Sequence, residues 1–250
     1  MNPPPRDPRS ALFLDVDGTL LDIAERPELV KVPPSLPPLL DRLAQEHHGA
    51  VAVVSGRRIE DIDRLFIPWQ GAAAGLHGGE RRRLDGTVIP ATDSEEELAA
   101  RAALDRLRPL IAQFAATAPG VWVEDKGSTL AMHYRAAPQH DAEILDLARQ
   151  GLDDAHGALR MIAGKMVVEL QPRQFGKGGA VAAFLEEQPF RGRQPVFLGD
   201  DVTDEDGFAE VNKRGGLSIR VGPPAPPTAA AYELPTVAAA LAWLAGKDPA

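Results

Sequence analysis

The chain contains no cysteine. Disulfides, thiolate nucleophiles and Cys-ligated zinc are excluded outright, and the absence fits a reducing compartment. No apolar run approaches the ~18 residues that a membrane-spanning helix needs. The opening MNPPPRDPRS has no apolar stretch of the kind a secretory signal carries. A cytoplasmic protein with no membrane partner is therefore expected, and separately from these features a monomer is expected. Basic residues are outnumbered as well: 27 Lys and Arg stand against 36 Asp and Glu, a formal net charge of −9. That balance argues against nucleic-acid partners, which require basic side chains to displace counterions from phosphates. The basic cluster Arg81–Arg83 reads as a solvated surface turn in preference to a binding patch.

What is present is an ordinary globular composition. Over 250 residues, 44% are hydrophobic and 25% charged, enough for one large α/β domain or two smaller ones. Disorder is expected only at the ends, where four prolines fall in the first ten residues and the tail closes with Gly246–Ala250. A Pro/Ala-rich loop spans Pro223–Ala231.

Several apolar runs have strand length and stop at polar residues. They are Ala11–Leu14 before Asp15, Ala50–Val54 before Ser55, Pro195–Leu198 before Gly199–Asp201, and Leu217–Val221 before Gly222. Continuous apolar runs suit strands covered on both faces, as in a parallel sheet. Helical periodicity lies between them at Leu36–Glu46, Ile59–Phe66, Gly178–Gln188 and Thr236–Leu244. The alternation predicts a Rossmann-like, doubly wound α/β domain.

The middle of the chain follows another pattern. Ser94 and Glu97 have capping-box spacing and open a helix to about Ala116, which Pro109 should kink or split. Val121–Val123 and the alternating Thr129–Arg135 read as strands, the second with one solvated face. A helix at Ala142–His156 follows. Leu159–Ile162 and Met166–Leu170 then form a hairpin about Ala163–Gly164. A small antiparallel α+β module over residues 83–172 is thus inserted into a parallel-sheet domain made of residues 1–82 and 173–250.

In an open parallel sheet, ligands bind at the carboxyl ends of the strands. Those ends here supply Asp15 and Asp17, then Ser55, then Asp200, Asp201 and Asp204. One carboxylate after a strand is ordinarily a cap or turn former. Acids and a hydroxyl delivered by three strand ends to one edge are a different matter, because carboxylates so gathered repel one another unless a cation neutralises them. Oxygen-only ligands suit Mg²⁺. Lys177, in FGKGG at the start of a helix, adds a cation and a helix N-terminus, both of which favour an anion. The spacing is not that of a Walker A loop.

LDVDGTLLD (Leu14–Asp22), VVSGR (Val53–Arg57), Lys177 and GDDVTDED (Gly199–Asp206) resemble, in order, the four signatures of haloacid-dehalogenase-like phosphatases. The insert between the second and third resembles the C2-type cap of that superfamily. GLHG (Gly75–Gly78), VEDKGSTLAMHYR (Val123–Arg135), VVELQPRQFGKGGAV (Val167–Val181) and GDDVTDEDGF (Gly199–Phe208) are similar to trehalose-6-phosphate phosphatases. The likeness runs from about residue 11 to residue 222.

The resemblance implies hydrolysis of trehalose 6-phosphate through an aspartyl-phosphate on Asp15, with Asp17 as general acid and then base. It implies Mg²⁺ held by Asp15, the Asp17 carbonyl and Asp200, with Asp201 and Asp204 behind them. Gly18, Thr19, Ser55, Gly56 and Lys177 would receive the phosphate. Glu124, Lys126, Glu169 and His77 would serve the sugar, and the alternation of Lys165, Val167 and Glu169 suits a Glu169 facing its ligand. Arg57 is expected to brace its loop, and His133 and Arg135 remain open between structure and function. Cap closure would hinge near Gly78–Gly79 and Pro172–Gly176. Rival readings are a capped phosphatase for sucrose-phosphate, glycosyl-phosphoglycerate or mannose-phosphate, a phosphomutase, and a non-catalytic regulatory domain.

Overall fold

The computed structural model describes residues 1–24, 29–90, 95–164, 166–173, 175–223 and 227–247. The Ser94–Glu97 capping box, the facing of Lys165, and parts of the Pro223–Ala231 loop and of the tail lie outside the described residues.

The chain forms two compact units, Met1–Pro90 with Gly176–Ala250, and Ala91–Phe175. In the first, β1 (Ala11–Leu14), α1 (Leu36–Glu46), β2 (Val51–Val54), α2 (Ile59–Phe66) and β3 (Ala72–Gly75) alternate, followed by a hairpin of β4 (Glu80–Arg82) and β5 (Val88–Pro90). The second holds α3 (Glu95–Thr117), β6 (Trp122–Asp125), β7 (Leu130–His133), α4 (Asp141–Asp154), β8 (Leu159–Gly164) and β9 (Val167–Pro172). The chain then returns to the first with α5 (Lys177–Leu185), β10 (Pro195–Gly199), α6 (Glu205–Lys213), β11 (Leu217–Val221), β12 (Tyr232–Leu234) and α7 (Val237–Leu244).

The larger unit is an eight-stranded sheet in the order β12-β11-β10-β1-β2-β3-β4-β5. Its first six strands are parallel and the β4–β5 hairpin is antiparallel. The β1 strand shows why this is a two-sided sheet. Leu12 and Leu14 join a core with α1, α2 and α7, while Ala11 and Phe13 join a second core with α5 and α6. Alternate residues of a strand point to opposite faces, so a strand apolar throughout must be covered on both. The fold is α/β and doubly wound, as the runs of apolar residues predicted.

The hairpin also accounts for where the units part. Because β4 pairs with β3 and β5 with β4, the larger unit keeps the chain to Pro90, eight residues past the division read from sequence. Gly78–Gly79 therefore lie inside that unit, between β3 and β4, instead of at its boundary. Arg81–Arg83 are not a solvated turn. Arg82 is buried and donates to Asp63 at 2.7 Å and to the Gly71 carbonyl at 3.0 Å. Arg81 lies 4.9 Å over the Phe184 ring, and Arg81 and Arg83 both pair with Glu187.

The smaller unit is a four-stranded antiparallel sheet, β6-β7-β9-β8. One face, with Leu130, Met132, Val168 and Leu170, packs into a core with α3 and α4. The α3 helix runs through Pro109 unbroken. Pro109 is exposed, while Leu104, Leu107 and Ile111 on either side of it are buried in one core. That shared burial keeps the two halves in line despite the lost backbone hydrogen bond. The β8–β9 turn falls after Gly164, which pairs with Val167, and not at Ala163–Gly164. Met166 at φ 63° supplies the left-handed turn residue.

The N-terminal segment, expected to be disordered, is ordered. The Glu233 N–H donates to the Met1 carbonyl at 3.0 Å, the Trp243 indole donates to the Pro4 carbonyl at 2.9 Å, and Pro3 is buried. Arg6 donates to Glu46 and to His47 Nε2, each at 2.5 Å. Since His47 Nδ1 faces the Ser10 carbonyl at 2.9 Å, an acceptor only, this nitrogen must carry the proton. Nε2 then accepts from Arg6, so the ring is held neutral. Burial pushes the His47 pKa below its usual 6.5, and the Arg6 charge adds to the effect despite the opposing Ser10 bond. The unfolded chain binds that proton near 6.5 and the folded protein only at lower pH, so this contribution to stability is complete above that value and falls as pH drops beneath it. Thermal melts between about pH 8 and about pH 5.5 will show a steeper loss of Tm in the wild type than in His47→Gln. Parallel profiles would contradict the assignment.

Candidate active site

Four adjacent parallel strands, β10-β1-β2-β3, end on one edge of the larger sheet. In register, Leu14 of β1 lies beside Leu198 of β10 and Val53 of β2, and Val53 lies beside Ala73 of β3. The residues just past these pairs are Asp15, Gly199–Asp200, Val54–Ser55, and Ala74 leading to Leu76–His77. The architecture thus delivers Asp15, Asp200, Ser55 and His77 side by side.

Asp15 is buried, and its N–H donates to the Leu198 carbonyl at 3.0 Å, extending the β1–β10 ladder by one bond. Lys177, the first residue of α5, is buried too. Its ammonium donates to Asp15 Oδ1 at 2.7 Å and to Asp204 Oδ1 at 2.6 Å. The other Asp204 oxygen accepts the N–H groups of Asp200 and Asp201 at 2.9 and 3.0 Å. Asp204 therefore holds both the lysine and the loop carrying Asp200. Asp201 turns away: its carboxylate caps the 3₁₀ turn Val202–Asp204 by accepting from the Val202 N–H at 2.6 Å.

Asp15, Asp200 and Asp204 bring carboxylate oxygens within 4.8 Å of one another. Burial pushes the Asp15 pKa up to about 7, with the nearby Asp204 charge raising it and Lys177 opposing. Burial, together with the charges of Asp15 and Asp204, pushes Asp200 to about 9. Lys177 moves the other way. Its burial favours the neutral amine, yet the two carboxylates hold it protonated well above its usual range. One ammonium does not neutralise three acids. The remaining charge and the all-oxygen donor set fit a hard divalent cation.

Gly18 turns the chain beside this cluster. Its φ is 86°, and a Cβ there would lie 2.1 Å from Asp200 Oδ2, so only glycine lets the two loops approach. The turn consumes its own amides, since Gly18 N–H donates to the Leu21 carbonyl and Thr19 N–H to the Val16 carbonyl. The Thr19 hydroxyl is fully buried and finds no partner among the described residues. Asp17 is not one of the three clustered carboxylates. Both its oxygens accept from Arg57, at 2.7 Å from Nε and 2.6 Å from Nη2. Arg57 thus braces Asp17 as well as its own loop, a partnership nothing in the spacing revealed.

Ser55 Oγ accepts from the Arg57 N–H at 3.2 Å, which leaves its own proton to donate elsewhere. The Ser55 and Arg57 carbonyls accept the N–H groups of His77 and Leu76, both at 2.9 Å. Leu76 and His77 are left-handed, at φ 52° and 54°. The His77 ring then lies against Gly56, where a Cβ would sit 2.5 Å from Nε2. His77 packs beneath the Ser55–Arg57 loop, and this is the position the structure gives it.

The smaller unit carries a second polar group of residues. Glu124, Ala131, Glu169 and Ile162 form one row across its four strands. Glu124 Oε2 accepts from His133 Nε2 at 3.1 Å and lies 3.8 Å from Lys126 Nζ. Burial works against the Glu124 charge, but the His133 bond and the Lys126 ammonium outweigh it and hold the acid below its ordinary range. Two residues along each strand from Ile162 and Glu169, Arg160 and Gln171 are paired neighbours on β8 and β9. Glu124, Lys126 and Glu169 were expected at a sugar site, and His133 was left open. Its parity with Ala131 on β7 was the available signal.

A family model described as Trehalose-phosphatase matches residues 13–237. A protein described as "Probable trehalose-phosphate phosphatase" from Sinorhizobium fredii (strain NBRC 101917 / NGR234) is 47% identical over 229 residues, covering 92% of this chain and 84% of its own. The trehalose-6-phosphate phosphatase of Escherichia coli (strain K12) is 42% identical over 236 residues, covering 94% and 85%. The solved C-terminal domain of Candida albicans trehalose-6-phosphate phosphatase shares the fold, with a TM-score of 0.82 at 21% identity over 94% of this chain and 91% of that one.

Lys177→Met leaves Asp15 and Asp204 buried without their cation. A stability loss of about 3–5 kcal/mol is expected in urea denaturation without added metal, and adding Asp15→Asn should recover part of it. Unchanged stability would show that the lysine does not hold the cluster together.

Proposed function

The chain belongs to the trehalose-phosphatase family, and from that premise we propose how its own residues carry the reaction. It is a phosphomonoesterase that converts trehalose 6-phosphate to trehalose and inorganic phosphate. The observation that carries the assignment of roles is the buried Asp15–Lys177–Asp204 triplet beside Asp200, at the carboxyl edge of four parallel strands.

Asp15 is the nucleophile. An oxygen of its carboxylate bonds to phosphorus while the bond from phosphorus to the sugar oxygen breaks, giving an aspartyl-phosphate and an alkoxide that takes a proton from Asp17. In the second half, Asp17 removes a proton from water as that water attacks phosphorus. Phosphate leaves and the Asp15 carboxylate is restored. The Arg57 pair orients Asp17 in the resting site, and it has to open when Asp17 takes its proton.

Lys177 neutralises charge on Asp15 and on the phosphoryl oxygens, and the Ser55 hydroxyl donates to one of those oxygens. Gly18 and Gly56 let the backbone come close to the phosphate. We assign Mg²⁺ to Asp15, Asp200 and the Asp17 carbonyl, where it would screen the negative charge shared by carboxylates and phosphate. Asp204 acts through Lys177 and the Asp200 loop. Asp201 acts as a cap of the turn that follows. Phosphoryl transfer depends chiefly on such positioning and neutralisation.

Glu124, Lys126 and Glu169 of the smaller unit recognise the sugar. Carboxylates accept from hydroxyls and an ammonium donates to them, which are the two hydrogen-bond roles a polyol needs filled. His77 supports the Ser55 loop in this scheme.

Phosphate release from trehalose 6-phosphate, set beside glucose 6-phosphate, sucrose 6-phosphate and mannose 6-phosphate, tests the reading. Turnover should favour the trehalose ester, require Mg²⁺ and stop with chelator. Lys177→Met or Ser55→Ala should cost about 10²–10³-fold in kcat, and Asp15→Asn more. Equal turnover of glucose 6-phosphate would refute the substrate, and full activity of Asp15→Asn would refute the mechanism.

A further inference from the structure

The sheet of the smaller unit has two unlike faces. One is the apolar core under α3 and α4. The other carries Trp122 and Glu124 on β6, Ala131 and His133 on β7, and Val167 and Glu169 on β9, as the strand registers require. Trp122 is the odd member of this polar face. It is 42% exposed, whereas Trp69 and Trp243, the other two tryptophans of the chain, are each 3% exposed.

Its placement is not loose. The Trp122 indole stacks on the His133 imidazole with ring centroids 3.9 Å apart and planes within 2°. His133 in turn donates from Nε2 to Glu124 Oε2 at 3.1 Å, and Glu124 reaches Lys126 at 3.8 Å. The four side chains therefore form one continuous assembly: an aromatic plate, an imidazole, a carboxylate and an ammonium. Trp122 sits on β6, an edge strand. Stacked on His133, Trp122 still leaves 42% of its surface exposed.

Resting on the proposed function, we infer that Trp122 is a specificity-determining residue for the disaccharide. It packs its open surface against the C–H groups of a glucose ring while Glu124 and Lys126 engage that ring's hydroxyls. A pyranose needs this pairing, because its rim is polar and its faces carry C–H groups that an aromatic surface can cover. The indole brings large area at a low cost in conformational entropy, because it turns about two torsions. His133 is a positioning residue: stacked on Trp122 and bonded to Glu124, it fixes the plate and the carboxylate relative to each other.

Two readouts test this. The first is intrinsic fluorescence of the wild type titrated with phosphate-free trehalose, without metal. Trp122 is the exposed emitter, so a saturable change in emission is expected, and it should vanish in Trp122→Phe. The second is steady-state kinetics of Trp122→Ala and Trp122→Phe on trehalose 6-phosphate and on para-nitrophenyl phosphate, which has no sugar. Trp122→Ala should raise KM for the trehalose ester about tenfold, leave kcat close to wild type and leave the aryl ester unaffected, while Trp122→Phe recovers most of the loss. An unchanged KM, equal losses on both substrates, or no fluorescence response overturns the inference. A wild type that cleaves the aryl ester and not trehalose 6-phosphate would instead overturn the proposed function.

Discussion

The site depends on one buried contact, a lysine ammonium shared between two aspartates. Lys177 touches Asp15 at the end of β1 and Asp204 at the turn after β10. A buried carboxylate without a partner would take up a proton and lose its nucleophilic oxygen. A buried ammonium without partners would lose its proton. Placed together, the carboxylates hold the lysine protonated and the lysine works against the rise that burial imposes on Asp15. Asp204 extends the arrangement by accepting the amides of Asp200 and Asp201, so the lysine that holds Asp15 is tied to the loop that presents Asp200.

Much of this was legible in the chain, because the sheet converts sequence position into geometry. Apolar runs at Ala11–Leu14 and Pro195–Leu198 read as strands buried on both faces, and they became β1 and β10. Once those strands are parallel neighbours, the polar residues after them must meet. What stayed hidden was set by contacts distant in sequence. The β3 strand, Ala72–Gly75, consists of residues with little strand preference of their own, and pairing with β2 decides its state. The β4–β5 hairpin carries Arg81 and Arg82, whose charges suggested solvent until Glu187 and Asp63 were found beside them. The pairing of Arg57 with Asp17 and the stacking of Trp122 on His133 belong to the same class. The N-terminal prolines suggested disorder, yet β12 and Trp243 supply the partners that order them.

The two units carry different polar groups. The larger gathers anions and one ammonium, which suits a phosphoryl group and a cation. The smaller offers a row of carboxylates with a histidine, a lysine and a tryptophan, which suits hydroxyls and C–H surface. The two sets differ in exposure: Asp15, Lys177 and Asp204 are buried, whereas Glu124, Lys126 and His133 are half-buried. Phosphate chemistry needs charges kept from water, where they act at full strength. Sugar recognition needs donors and acceptors that a ligand can reach. The sequence places the two in separate segments, and the fold gives each its own sheet.

The central claim is that Asp15 forms a covalent bond to phosphorus. Rapid acid quench of the wild type during turnover of trehalose 6-phosphate, followed by mass spectrometry of its peptides, addresses that bond directly. The account predicts a phosphoryl group on the peptide bearing Asp15, located on that aspartate and absent from Asp15→Asn. A phosphoryl group on any other residue, or turnover with none on the protein at any quench time, would contradict it.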